Sequence, residues 1–454
     1  MTKQEFREMT KEKLILLDGA TGSNLQKLGM PSDVCTELWI CEHPQLLMQL
    51  QDAYIKAGSN IVYAPTFSAN RIKLKEFGLE DRLEEINRRL VKICKDNAAG
   101  RALVAGDITM TGVQLAPLGT LSFEELVTVY EEQLTVLADA GVDLIGMETM
   151  MSLAEVRAAV IAAQNVCPDL PFMATLSFGE SGRTLYGTAA DAAVVVLQEM
   201  GIDAVGLNCS AGPDKMLPVI RQMKKVSKIP LIAKPNAGLP KLDEQGCTVY
   251  DMDPETFQSY MKALKAAGAD IIGGCCGTDP SYIDGLKNAV LKDDPISEEM
   301  SDLAEDPTCY LASDRQVFAF EPSQKLNWGS GIDLSKDSAL LEEVQAECFD
   351  SVTDLAYDLS DEGADALYLC AGADGIDEEA VLSVLLEEVA SCVSMPVVIG
   401  VSNLKVAEKI ARTYTGILAV FCPDQSEKVE NISFNALKRY GTKLVTIDKE
   451  IICC

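Results

Sequence analysis

Four times the same short signature returns in this sequence: a helical run ends on glycine, and the next strand opens on Asp or Asn. The copies are Ala57-Gly58-Ser59-Asn60, Ala140-Gly141-Val142-Asp143, Met200-Gly201-Ile202-Asp203 and Ala267-Gly268-Ala269-Asp270. Glycine at that place supplies the left-handed conformation that stops a helix. Each copy is followed by a short apolar run without polar alternation, the pattern of a strand buried on both faces of a parallel sheet. Strands are expected at Leu14–Gly19, Asn60–Ala64, Ala102–Asp107, Asp143–Glu148, Phe172–Leu176, Asp203–Cys209, Pro230–Lys234 and Asp270–Gly274, with a helical pattern after each. Ser122 followed by Glu125 reads as a capping box for one of these helices. Eight strand–helix alternations close naturally into an α/β (βα)8 TIM barrel. An open doubly wound sheet is the alternative.

The barrel is expected over residues 1–292. Residues 293–308 are acidic and marked by proline, and read as a linker. Residues 309–454 show five further strand-like runs, Val317–Glu321, Asp365–Cys370, Pro396–Gly400, Ile417–Phe421 and Lys443–Ile447, with four helical patterns between them. Glu362-Gly363-Ala364-Asp365 repeats the glycine–acid signature. Five strands are too few for a second closed barrel, so this part reads as a half-barrel or a small open α/β sheet.

A formal charge of −30 excludes nucleic acid as a partner, because that binding rests on Lys and Arg neutralising phosphates. The same charge speaks against an anionic membrane surface. The apolar runs are too short to span a bilayer. The start, Met1-Thr2-Lys3-Gln4-Glu5-Phe6-Arg7, lacks the apolar core of a signal peptide, so a cytoplasmic location is expected. Fifteen cysteines in such a chain are not expected to form a disulfide framework, and most of them, such as Cys94, Cys167 and Cys370, read as buried small hydrophobic residues. The terminal Cys453-Cys454 pair reads as a frayed end. A single histidine, His43, rules out a multi-histidine metal site, so metal chemistry here must use sulfur and oxygen.

Active sites of (βα)8 barrels lie at the C-terminal ends of the strands. Those ends carry Asp18, Thr66 and Phe67, Asp107, Glu148, Ser177, Asn208 with Cys209, Asn236, and Cys275 with Cys276. Three thiols thus converge on one mouth, although 65 residues lie between Cys209 and Cys275, which excludes a zinc finger or knuckle. Three thiolates with a fourth position open describe a catalytic zinc site made of Cys209, Cys275 and Cys276. Zinc held by three thiolates is a weak Lewis acid towards carbonyls, but it can take a substrate thiol and keep it as a reactive thiolate. The chemistry this favours is alkyl transfer to sulfur.

Asp18-Gly19-Ala20-Thr21-Gly22, Asn208-Cys209-Ser210, Pro235-Asn236-Ala237-Gly238 and Gly273-Gly274-Cys275-Cys276-Gly277-Thr278 resemble the homocysteine S-methyltransferase family. The likeness is nearest to the homocysteine-binding barrel of cobalamin-dependent methionine synthases and covers residues 10 to about 292. It implies that Cys209, Cys275 and Cys276 bind Zn2+. It also implies that Asp18 and Glu148 receive the homocysteine ammonium, and that main-chain amides near Gly19 and Ala20 take its carboxylate. Asn208 and Asn236 then stand beside the metal as orienting groups or an occasional fourth ligand. The methyl donor the resemblance favours is a corrinoid, methylcobalamin on a separate protein, because no Asp-x-His-x-x-Gly cobalamin motif is present. S-methylmethionine, S-adenosylmethionine or a betaine-type donor is the alternative, as is a zinc- and thiol-binding component of a corrinoid complex. The C-terminal part resembles the first half of a pterin-binding barrel. Where that family carries its folate signature, this chain reads Ala319-Phe320-Glu321-Pro322-Ser323, which implies a scaffold or docking role instead.

Overall fold

A computed structural model describes residues 1–242, 248–290, 308–321, 324–373, 375–422, 436–445 and 451–452. The chain divides into two compact units, Met1–Tyr186 with Ile202–Ala304, and Gly187–Gly201 with Glu305–Cys454.

The first unit is built on eight parallel strands: β1 (Ile15–Leu16), β2 (Ile61–Ala64), β3 (Leu103–Ile108), β4 (Leu144–Met150), β5 (Phe172–Leu176), β6 (Ala204–Cys209), β7 (Leu231–Pro235) and, after the short hairpin of β8 (Pro240–Leu242) and β9 (Thr248–Tyr250), β10 (Ala269–Ile272). Their order is β1-β10-β7-β6-β5-β4-β3-β2. The Leu17–Ile61 bridge joins β1 to β2 and closes the ring. The barrel expected from the eight alternations is the fold the chain adopts.

The repeated signature earns its place twice. Gly58, Gly141, Gly201 and Gly268 all have positive φ, between 82° and 114°, as the helix stop requires. The Asx side chain that follows accepts an N–H at the start of a neighbouring strand. Asn60 Oδ1 takes Leu16 N–H at 2.9 Å, Asp143 Oδ2 takes Val104 N–H at 2.8 Å, Asp203 Oδ2 takes Phe172 N–H at 3.0 Å, and Asp270 Oδ2 takes Leu231 N–H at 3.0 Å. The capping box is also present, with Ser122 Oγ accepting from Glu125 N–H and Glu125 accepting from Ser122 N–H.

Side chains alternate across each strand, so one row per strand fills the barrel. That row comprises Ile15 and Leu17, Ile61 and Tyr63, Ala105, Leu144, Met173, Ala204, Ile232 and Ile271. Two residues further on, the same parity aims Asp107, Thr175, Lys234 and Gly273 inward, and four further on Glu148, Asn208, Asn236 and Cys275. An apolar plug thus gives way to a polar mouth. Gly146 lies on this row because a Cβ there would stand 2.5 Å from the Tyr63 ring.

The helix Leu153–Val166 buries one acid at a cost. Glu155 is 4% exposed, and its Oε2 has no hydrogen-bond partner. Burial pushes its pKa from 4.5 to about 7. The folded state therefore holds a proton that the unfolded chain has lost. Its contribution is complete below pH 4.5 and disappears as pH rises through about 7, a swing on the order of 3 kcal/mol. Glu155→Gln is expected to flatten the fall in stability between these pH values, measured by urea unfolding.

In the second unit, β11 (Cys309–Ala312) and β12 (Val317–Phe320) pair antiparallel as a hairpin of their own. The main sheet runs β13 (Trp328–Asp333), β14 (Ala366–Cys370), β15 (Val397–Gly400), β16 (Ala419–Phe421) and β17 (Lys443–Val445) in sequential parallel order, with β18 (Ile451–Ile452) antiparallel at the edge. Val317–Glu321 is not the first strand of that sheet, and the strand that is, Trp328–Asp333, was not expected. Gly329, Ser330 and Gly331 hide it, since glycine and serine carry no strand preference. Sequential parallel order is nonetheless the topology of part of a (βα)8 barrel, and Asp365 repeats the signature by accepting Asn327 N–H at 2.7 Å. Residues 293–307 of the expected linker, residues 446 and 447 at the end of the last strand, Pro322-Ser323 and Cys453-Cys454 lie outside the described residues. Among the described residues, no helix is long and apolar enough to cross a membrane.

Candidate functional site

The Gly273–Thr278 segment turns back over the barrel mouth and is pinned to both neighbouring strands. Gly274 N–H donates to Asp18 O at 3.0 Å, Cys275 N–H to Pro235 O at 2.8 Å, and Ala237 N–H to Cys276 O at 3.0 Å. Thr278 Oγ1 donates to Cys275 O at 2.7 Å and accepts Ala20 N–H at 3.2 Å. A Cβ on Gly274 would fall 2.3 Å from Thr278 Oγ1, and Gly277 has φ 83°, so the turn needs glycine at both places. Adjacent residues on a strand face opposite ways. Past the strand end, this turn lets Cys275 and Cys276 share one centre.

Cys209 completes the centre from β6, with φ 59° in the left-handed region. That conformation costs a non-glycine residue on the order of 1 kcal/mol and collects at functional sites. The three Sγ atoms lie within 4.8 Å of one another, with Cys209 and Cys276 at 3.9 Å. Thiolates about 2.3 Å from a tetrahedral zinc stand about 3.8 Å apart, so the trio fits that ion. All three are free thiols, as are the other described cysteines except Cys309, which is in a disulfide. The neighbouring Cys209 and Cys275 thiols pull Cys276 down to about 3. Cys209 is pushed far up by its bonds to Cys275 and Cys276. A cation bound here would displace the remaining thiol protons.

Asn208 is buried and orients this centre. Its Nδ2 donates to Glu148 Oε1 at 3.2 Å and Thr149 Oγ1 at 2.8 Å, and lies 3.8 Å from Cys275 Sγ; its Oδ1 accepts Thr149 N–H at 3.0 Å. Asn236 is 4% exposed and its Oδ1 has no hydrogen-bond partner. Gly19 packs closely, since a Cβ there would meet Thr278 Oγ1 and Tyr54 Oη at 2.7 Å each. The N–H of Ala20 is already bonded to Thr278. Thr66 Oγ1 donates to Asp107 O, and Ser177 Oγ to Asn208 O, so both serve the backbone. His43 stacks on Trp39 with centroids 4.2 Å apart and takes no part.

Asp18 and Glu148 flank a residue that sequence reasoning did not name. Lys234, 3% exposed, donates to Glu148 Oε2 at 2.7 Å, stands 3.8 Å from Asp18 Oδ1, and lies 4.0 Å over the Tyr63 ring. Burial works against its charge, but Glu148, Tyr63 and Asp18 outweigh it and hold its pKa well up. Burial raises Asp18 to about 7 against the pull of Lys234. Burial also pushes Glu148 above the usual carboxylate range, again opposed by Lys234. Asp107 is raised by burial and then by the charge of Glu148. The available signal was parity: Ile232 and Lys234 share one face of β7, with Asn236 next in the same register just past its end, and Ala105 and Asp107 share one face of β3.

A closed (βα)8 barrel with three thiols and a carboxylate cluster at its mouth defines a candidate metal–thiol site suited to chemistry on sulfur. The homocysteine S-methyltransferase family model matches residues 15–290, and the chain belongs to that family. It is also similar to the methionine synthase of Mycobacterium leprae (strain TN), 26% identical over 423 residues, covering 89% of this chain and 35% of the relative. The methionine synthase of Mycobacterium tuberculosis (strain ATCC 25618 / H37Rv) is 25% identical over 411 residues, covering 87% and 34%. The chain thus spans about a third of the length of these curated relatives. Among solved structures, the metallated form of the homocysteine methyltransferase MmuM from Escherichia coli matches with a TM-score of 0.53 and 23% identity, over 62% of this chain and 98% of that one. That likeness is one of fold.

Proposed function

We propose that this protein is a zinc-dependent methyltransferase that carries a methyl group to the thiol of homocysteine, giving methionine. The observation that carries the reading is the thiol trio, spaced for a tetrahedral ion, beside buried carboxylates at one barrel mouth. Zinc on Cys209, Cys275 and Cys276 would supply an open position that takes the acceptor thiol and lowers its pKa. Asn208 fixes the site by bonding Glu148 and meeting Cys275 Sγ. Asp18 and Glu148 supply the negative charge an ammonium needs, and the chain near Gly19 and Ala20 supplies the seat for the carboxylate. Asn236, with its Oδ1 unpartnered, is an orienting group or a fourth ligand. The acceptor sulfur gives its electron pair to the methyl carbon as the carbon–donor bond breaks, and the thiol proton has already gone to solvent. No general base is required.

The donor is proposed to be methylcobalamin on a separate corrinoid protein, in line with the similarity to methionine synthases along most of the chain. S-methylmethionine, S-adenosylmethionine and a betaine are the alternatives. A second reading is a zinc- and thiol-binding component of a larger corrinoid complex. The second unit is then a scaffold or docking domain, and the chain a cytoplasmic protein. Methionine formation by the zinc-loaded protein, assayed with homocysteine and each donor in turn, tests the proposal. Turnover with methylcobalamin is expected. Homocysteine binding without turnover on any donor favours the component, and no binding at all overturns both.

A further inference from the structure

The end of β4 is held in a conformation its sequence resists. Up to Met147 the strand pairs with β5 residue for residue, Ile145 with Phe172, Gly146 with Met173 and Met147 with Ala174. The next pair is Met150 with Leu176, so Glu148 and Thr149 stand opposite the single residue Thr175. This is a bulge, one extra residue that bends its strand and re-aims a side chain. Thr149 has φ 60°. The left-handed region is costly for a β-branched residue, and such strain persists only where the surrounding structure imposes it.

One side chain imposes it. Asn208 Oδ1 accepts Thr149 N–H at 3.0 Å, and its Nδ2 donates to Thr149 Oγ1 at 2.8 Å, so both ends of the amide grip one residue. The second Nδ2 proton goes to Glu148 Oε1 at 3.2 Å. The reach is long: Asn208 lies on β6, and β5 stands between β6 and β4. Asn208 is fully buried, and its carbonyl accepts Ser177 Oγ–H at 3.1 Å, which steadies the lever at its base. Glu148 is fixed on its other side, where Thr109 Oγ1 donates to its carbonyl at 2.8 Å. The backbone turn at Thr149 aims the Glu148 carboxyl, and Asn208 holds that turn.

We propose that Asn208 is a positioning residue whose work is to hold Thr149 in the left-handed region, which keeps Glu148 aimed at the acceptor's ammonium. It acts on the strand and not on the metal. The inference rests on the homocysteine reading above, in which Glu148 receives that ammonium. One consequence separates it from simple packing. Glycine enters the left-handed region without steric cost. With Thr149→Gly the turn can keep its shape unaided, and Asn208 becomes dispensable.

The test is a double-mutant cycle, read by calorimetric titration of the zinc-loaded protein. The ligands are L-homocysteine and its des-amino analogue, mercaptobutanoate, which keeps the thiol and carboxylate but has no ammonium. Asn208→Ala alone is expected to weaken homocysteine binding about tenfold and the analogue less than about twofold, with zinc content unchanged. In the Thr149→Gly background the same substitution should cost homocysteine no more than about twofold. Equal losses in both backgrounds, equal losses for the two ligands, or loss of zinc with Asn208→Ala overturns the inference alone. Asn208→Ser replaces Asn208→Ala if the latter does not fold. Should either fold only together with Thr149→Gly, that rescue is the same result read as stability. If the unmodified protein binds neither thiol, or both equally, the homocysteine reading itself falls.

Discussion

Cys275→Ala is expected to strip the protein of its metal. The unmodified protein, purified with reductant, should carry about one equivalent of zinc and the variant less than about a tenth, because two thiolates cannot replace the three that hold the ion when its fourth position is open. Homocysteine affinity should fall at least about a hundredfold with it. Cys275 is the most informative of the three because it is buried and its sulfur also faces Glu148 Oε1 and Asn208 Nδ2, each at 3.8 Å. Metal analysis with parallel thiol titration reads both effects. Cys348→Ala, an exposed thiol of the second unit, is the control and should change neither.

Lys234→Met should produce the largest loss of stability of any single change at the mouth. Methionine keeps the volume and removes the charge, leaving Glu148 and Asp18 buried without their cation. Breaking a buried pair in this way costs about 3–5 kcal/mol. The loss should depend on pH in a defined direction. Lys234 pulls the pKa values of Glu148 and Asp18 down, so without it both acids rise further and hold protons in the folded state that the unfolded chain has released. Their contribution is complete below the unfolded values and is lost as pH rises through the folded ones. The gap between variant and unmodified protein should therefore be small near pH 5 and wide near pH 8 in urea unfolding. An equal gap at both would mean that Lys234 acts through packing and not through charge.

Much of the barrel was legible because two local rules coincide in it. The glycine that stops each helix and the Asx that opens each strand stand two positions apart, and the apolar run that follows is too short for a helix. What the sequence did not show is what the Asx does. Asn60, Asp143, Asp203 and Asp270 each cap a neighbouring strand, a partner that strand pairing brings near, and for Asn60 barrel closure. The three cysteines were legible because thiols at strand ends are unusual in themselves. Lys234 and the setting of Asp107 were not. A lysine inside an apolar strand draws no notice by type, and Asp107, though recognised at a strand end, could be weighed only once its neighbours were known. In the second unit, β13 was missed for a different reason. Gly329 and Gly331 carry no strand preference, and pairing with β14 supplies what propensity lacks. The antiparallel hairpin of β11 and β12 was misplaced because an apolar run does not declare its partner.

The central claim is that Cys209, Cys275 and Cys276 hold one zinc ion with a place kept for the acceptor's sulfur. X-ray absorption at the zinc edge, recorded with and without homocysteine, tests it most directly. Three sulfur ligands at about 2.3 Å and one lighter ligand are expected without homocysteine, and four sulfurs with it. Fewer than three sulfurs at the start, or a coordination shell unchanged by homocysteine, would contradict it.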